Sequence, residues 1–241
     1  MEIVKQEVMV QTGNEQMPCH LVHPASGGPY PGLVVVMEAF GLNDNIKKIA
    51  DRFAAEGFAT IAPNLYFRMP NNVVGYDDLP GAIKLMGGVK DDQVVADMTA
   101  AINHLKAQKD VKPKFGTTGF CMGGRVAFLA AVRNPDVYAA VPFYGGGLTR
   151  AGQPGGKAPT EYAENLKGPV LAFFGGKDAF IPVTEVDKFR DSLKGAGKAA
   201  EIVLYADADH GFMCDERPSY HAAHAKEAWP KAVAFLKQHL S

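Results

Sequence analysis

Three residues of this 241-residue chain combine reactive side chains with positions that would expose them: Cys121 in GFCMGG, Asp178 in GGKDAFIP and His210 in ADADHGF. A thiol, a carboxylate and an imidazole in that chain order can serve as nucleophile, orienting acid and general base for acyl transfer. Cys121 lies between an apolar run and a helical pattern, with glycines two residues before and two after it. A nucleophile on so sharp a turn has a crowded backbone, and neighbours without a Cβ relieve the crowding. At the start of a helix the dipole also favours thiolate over thiol.

Each of the three has a plainer reading. Free cysteine is a common buried residue at strand ends, aspartate beside Gly176 is a common turn residue, and His210 could be a surface-loop histidine. Their shared placement weighs against coincidence, because each follows an expected strand at its C-terminal end, where doubly wound sheets gather their sites. The other six histidines do not: His20 and His23 fall in a first hairpin, His104 in a helix, and His221, His224 and His239 in or near the terminal helix. Cys19, His20 and His23 lack facing ligands on an expected strand, and no CxxC pair occurs, so no metal site is expected.

The elements that must position these groups alternate along the chain. IVKQEVMV and CHLVH around Gly13 and Asn14 predict an antiparallel hairpin at the sheet edge. Leu33 to Met37 is a continuous apolar run of the kind covered on both faces of a parallel sheet. A helix capped by Asn43 or Asp44 carries Ile46, Ile49, Ala50, Phe53 and Ala54 and ends near Gly57. Further strands are predicted at Phe58 to Ala62, Phe115 to Gly119, Tyr138 to Tyr144, Pro169 to Gly175 and Glu201 to Tyr205. Helices are predicted at Asp91 to Gln108, Gly123 to Val132, Val183 to Leu193 and Tyr220 to His239. The pattern is α/β: a doubly wound, mostly parallel sheet of about eight strands with helices on both faces, in one domain over residues 1–241. Residues 64–88 and 145–168 are long for connections and are candidates for a rim or lid.

Composition narrows the partners. The chain has 25 basic and 26 acidic residues for a formal net charge of −1, so no overall field recruits nucleic acid or an anionic membrane. No apolar run approaches the roughly 20 residues of a membrane helix, and MEIVKQEVMVQTG carries charges where a signal peptide has its apolar core. Three irregularly spaced cysteines form no disulfide framework. The expectation is a cytoplasmic protein, monomer or small homo-oligomer, acting on a small molecule.

With these three motifs in register, the chain resembles the dienelactone hydrolase family, cysteine-nucleophile members of the α/β-hydrolase fold. VVVMEAFGLND, APNLYFR and the FYGGG run support the resemblance, which extends over nearly the whole chain. It implies a carboxymethylenebutenolidase-type hydrolase of lactones or small carboxylic esters, with Cys121 attacking the carbonyl, His210 shuttling the proton and Asp178 holding the imidazole. The backbone N–H groups of Met122 and Ala39 would hold the oxyanion. Glu38, a charge continuing the run LVVVM, would govern when thiolate forms. Water would resolve the thioester without metal or organic cofactor. The family's substrate arginine four residues after the histidine is replaced here by Cys214, so Arg217 or Arg68 would supply that charge, with Phe40, Tyr144 and Phe212 as an apolar wall. A non-catalytic binding protein on the same fold and a thiol redox protein pairing Cys121 with Cys214 are the alternatives.

Overall fold

Val34, Val35 and Val36 have no solvent exposure, and that continuous burial explains why the apolar run beginning at Leu33 forms a central strand and not an alternating edge. The computed structural model describes residues 1–241. Eight strands form one sheet: β1 (Ile3–Thr12), β2 (Glu15–Pro24), β3 (Tyr30–Val36), β4 (Ala59–Pro63), β5 (Val111–Phe120), β6 (Val137–Phe143), β7 (Val170–Gly175) and β8 (Ala200–Tyr205). Their spatial order is β1-β2-β4-β3-β5-β6-β7-β8. The hairpin β1–β2 occupies one edge and joins β4 antiparallel; every other neighbour pair is parallel.

Helices cover both faces. On one, α1 (Asp44–Ala55) meets α6 (Ala222–Leu240) through Phe53 and Trp229, whose rings are 4.4 Å apart. Asn43 caps α1 by accepting from the Ile46 N–H at 3.1 Å, and Ile46, Ile49, Ala50, Phe53 and Ala54 are its buried stripe. On the other face α3 (Asp91–Lys106), α4 (Met122–Arg133) and α5 (Val183–Gly195) lie side by side. Phe128 of α4 and Phe189 of α5 meet edge to face at 5.0 Å. One continuous apolar core runs through both layers.

Two segments differ from the sequence reading. Residues 64–88 contain a helix, α2 (Leu79–Gly87), started by Asp78 accepting from the Gly81 N–H at 2.9 Å and by Pro80 in the first turn. Its glycines, at 81 and 87, weaken the helical pattern in sequence. Residues 145–168 include a 3₁₀ turn over Pro159–Asn165 that packs on α4 and α5. The remaining elements agree with the expected ones to within a few residues. The C-terminal ends of β3, β5, β7 and β8 therefore deliver Glu38, Cys121, Asp178 and His210 to one edge of the sheet.

Candidate active site

Cys121 is the one residue between β5 and α4, and its backbone sits at φ 56°, ψ −120°. That positive φ is costly for a residue with a side chain. The surroundings enforce it: the Cys121 N–H donates to the Phe143 carbonyl at 3.1 Å, and the turn folds back on itself closely. A Cβ on Gly119 would stand 2.1 Å from the Gly123 carbonyl oxygen, and one on Gly123 would stand 2.4 Å from the Met37 oxygen. The two glycines flanking the thiol are therefore steric requirements of the turn. Cys121 itself remains partly exposed.

The turn after β7 holds Asp178 in place. Its Oδ1 accepts from the N–H groups of Phe180 at 2.8 Å and Ile181 at 3.1 Å, while Oδ2 lies 2.7 Å from His210 Nδ1. A carboxylate only accepts, so Nδ1 carries the hydrogen and Nε2 is left for the thiol. Burial alone would push the imidazole pKa down. Hydrogen bonds to Asp178 and Cys121, and the charges of both, outweigh it and raise the pKa to about 10. The rings of Tyr144 and Phe180 meet His210 edge-on at 5.2 and 5.3 Å, limiting how far it can swing.

Glu38 follows β3 and is 1% exposed, yet neither carboxylate oxygen has a hydrogen-bond partner. Arg217 Nη1 stands 3.5 Å from Oε1. Desolvation raises the Glu38 pKa above the usual carboxylate range, and Arg217, Tyr76 and His210 only partly offset it. The Arg217 guanidinium lies over the faces of Phe40 and Tyr76, at 5.4 and 5.9 Å from their centroids. Arg217 Nη1, Tyr76 Oη and Ser219 Oγ are buried without hydrogen-bond partners as well. Unpaired buried polar groups are expensive, and four residues of this kind, Glu38, Tyr76, Arg217 and Ser219, mark a place suited to a polar ligand group.

The Ala39 N–H, just past β3, donates to no backbone carbonyl, and that of Met122, the first residue of α4, has no acceptor within its helix. Segment 64–88 forms one wall: Val74, Tyr76, Ala82 and Met86 pack with Ala39, Phe40, Cys121 and Met122.

The structure thus brings Cys121, His210, Asp178, Glu38, Met122, Ala39, Phe40 and Arg217 together. It does not bring Arg68. That guanidinium bonds Asp97 through Nη1 at 2.7 Å and Nη2 at 3.1 Å and pairs with Glu15, so it fastens segment 64–88 to α3 and the first hairpin. Asp97 is 1% exposed and a buried carboxylate requires such a partner. Phe212 is also corrected: it is fully buried against Tyr144 and Tyr205, at 5.3 and 5.5 Å, a core ring behind the histidine loop. Tyr144 is likewise 1% exposed, with a positive φ of 39°, and buttresses His210 instead of offering a wall. Segment 145–168 packs through its 3₁₀ turn on α4 and α5. Tyr76 escaped sequence reading because it falls in a segment with no strong period. Tyr66, whose hydroxyl donates to Met122 Sδ at 3.1 Å, carried a usable signal in APNLYFR.

Residues 17–240 match the model of the dienelactone hydrolase family. The chain is 37% identical over 234 residues to an Escherichia coli (strain K12) protein provisionally named a carboxymethylenebutenolidase, covering 95% of this chain and 85% of that one. A Methylorubrum extorquens protein with the same provisional name is 36% identical over 241 residues, 98% of this chain and 82% of that one. A crystal structure provisionally named a dienelactone hydrolase, from Klebsiella pneumoniae subsp. pneumoniae, superposes with a TM-score of 0.92 at 37% identity, covering 99% of this chain and 100% of that one.

Proposed function

Because the chain belongs to the dienelactone hydrolase family of hydrolases acting on lactones or esters, we propose that it cleaves its substrate through a thioester on Cys121, with His210 and Asp178 as base and orienting acid. The observation that carries this reading is His210, bonded through Nδ1 to Asp178 at 2.7 Å, with Cys121 among the groups that raise its pKa. With the proton carried by His210, whose pKa of about 10 keeps the imidazole charged at neutral pH, Cys121 Sγ bonds the substrate carbonyl carbon. The carbonyl electrons move to oxygen, where the N–H groups of Met122 and Ala39 stabilise the charge. Collapse of that intermediate expels the alkoxide, which takes the proton from His210. In a lactone the released hydroxyl stays tethered to the acyl group. Water, deprotonated by His210, then attacks the thioester and frees the acid.

Glu38 contributes through its charge, which acts on His210 and on Arg217. The Arg217 charge favours the ionised carboxylate, and a substrate carboxylate seated on Arg217 would offset that charge and make Glu38 the better proton acceptor. This supports an anionic lactone or ester as substrate, with Arg217, three residues beyond Cys214, supplying the charge. Phe40 and Tyr76 form the shelf beneath it. One sheet and one continuous core support reading residues 1–241 as one domain. Three unpaired cysteines fit a reducing compartment such as the cytoplasm; no helix is long and apolar enough to cross a membrane.

The test is product release from p-nitrophenyl acetate and dienelactone by wild type, Cys121→Ala and His210→Ala. Loss of turnover in both variants, with acylated Cys121 seen by mass spectrometry, is the expected result. Full activity in Cys121→Ala would sink the mechanism, and ligand binding without turnover by wild type would favour a binding protein on this fold.

A further inference from the structure

A second cluster of titratable groups lies beside the histidine loop and takes no part in the reaction described above. Asp207, in the turn after β8, faces His221 and His224 at the start of α6. His224 Nε2 is 2.6 Å from Asp207 Oδ1, His221 Nε2 is 3.4 Å from Oδ2, and the three residues' ligating atoms all lie within 4.8 Å of one another. The two imidazoles stack at 3.9 Å, and His224 stacks in turn on Tyr205 at 4.2 Å. Both rings therefore present the same nitrogen to one carboxylate. Two ligands of a tetrahedral zinc, each about 2.0–2.1 Å from it, stand roughly 3.3 Å apart, close to the spacing already present.

We propose that Asp207, His221 and His224 form a binding site for a zinc-class divalent cation, which ties the turn carrying His210 to the first turn of α6. Two imidazoles and one carboxylate suit Zn²⁺, Co²⁺ or Ni²⁺, whereas Mg²⁺ and Ca²⁺ prefer all-oxygen ligands. Asp207 and the histidines are partly exposed, which gives the cation a path in and leaves positions for water. The sequence pointed away from metal because it offered Cys19, His20 and His23. There His20 is held by Glu7 and Asp51, each at 2.9 Å.

The proton balance is explicit. The His224 Nε2–H donates to Asp207 Oδ1, and His221 Nε2 stands 3.4 Å from Oδ2. On binding, each ring loses its Nε2 proton and gains one on Nδ1 through solvent, staying neutral. His221 then gives up the bond its Nδ1 accepts from the His224 N–H, a long contact at 3.4 Å. The site connects to catalysis through the backbone. The His221 N–H donates to the Phe212 carbonyl at 3.0 Å, and the Ala208 carbonyl accepts from Lys177, next to Asp178, at 2.9 Å. A cation here would hold the acid and base turns together.

Because a free thiol beside an imidazole also takes zinc, the experiment uses the Cys121→Ala protein. Zn²⁺ alone is titrated in competition with a chromophoric chelator, and melting is followed with Zn²⁺, Ni²⁺, Mg²⁺ and Ca²⁺. Expected are one bound Zn²⁺ per chain, a rise in Tm with Zn²⁺ and Ni²⁺ only, and about tenfold or greater loss of affinity in Asp207→Asn and His224→Gln. Cu²⁺ quenching of Trp229, the chain's one tryptophan, gives an independent readout: the residue lies five positions after His224 on α6, and the quenching should disappear in the same variants. No stoichiometric Zn²⁺ binding, or unchanged binding and Tm response in those variants, would overturn the proposal.

Discussion

Arg217 Nη1 stands 3.5 Å from Glu38 Oε1, and neither carboxylate oxygen is hydrogen bonded. The pair is close enough to attract and too far apart to be satisfied. A ligand carboxylate could compete for this arginine without breaking a well-formed hydrogen bond. Arg217→Met should therefore raise KM for an anionic lactone about 10- to 100-fold, the range of a charge-assisted hydrogen bond. KM for neutral p-nitrophenyl acetate should move little, and equal losses on both substrates would show that Arg217 supports the fold instead.

Glu38→Gln tests the other partner in two ways. As a second group able to take up the thiol proton beside His210, its loss should lower kcat/KM by about a hundredfold. Its effect on stability has a definite sign. Burial raises the folded-state pKa above the unfolded value, so the stability gained from the protonated acid is complete below the unfolded pKa of about 4.3. That gain is lost as pH rises through the folded value. Tm measured at pH 5 and pH 8 should thus show the variant gaining on wild type at the higher pH, and a gain at the lower pH would contradict the assignment.

His210 titrates near pH 10 because Asp178 and Cys121 both hold its charged form. Stability from this group is full below the unfolded imidazole pKa of about 6.5 and is lost as pH rises through about 10. Cys121→Ser replaces one of the two side chains that hold the charged imidazole. NMR titration of the His210 ring, assigned with His210→Gln, should move downward in that variant, and an unmoved titration would mean the thiol does not face the imidazole.

Gly123→Ala places a Cβ 2.4 Å from the Met37 oxygen and 2.5 Å from that of Val36. Both neighbours are backbone and neither can rotate away. Overpacking of this kind should cost about 2–3 kcal/mol or more, read as a drop in denaturation midpoint. An alanine variant as stable as wild type would show that the elbow can open.

Arg68→Ala leaves Asp97 buried with only the Thr12 hydroxyl, at 2.8 Å. The expected loss is about 3 kcal/mol of stability. The ratio of activities on anionic and neutral esters should stay unchanged, because Arg68 does not reach the thiol. A selective loss on the anionic substrate would restore it to the binding site.

Cys121, Asp178 and His210 were legible in the sequence because each depends on local structure: a strand end, a tight turn and small neighbours are written in consecutive residues. So were α1, with a cap at Asn43 or Asp44, and β3, whose continuous apolar run reads as a strand covered on both faces. The choice between Arg68 and Arg217 was not. Both are arginines in loops, and only the folded chain decided that one meets Asp97 on α3 and the other Glu38 beyond β3. Tyr76 and the approach of Asp207 to His221 and His224 belong to the same class. Their pairings join separate elements, and side-chain type carries no information about which partner the folded chain will supply. The sequence alone determined which groups could react. The tertiary structure decided which charges surround them, because sheet order and loop packing, not residue spacing, set those distances.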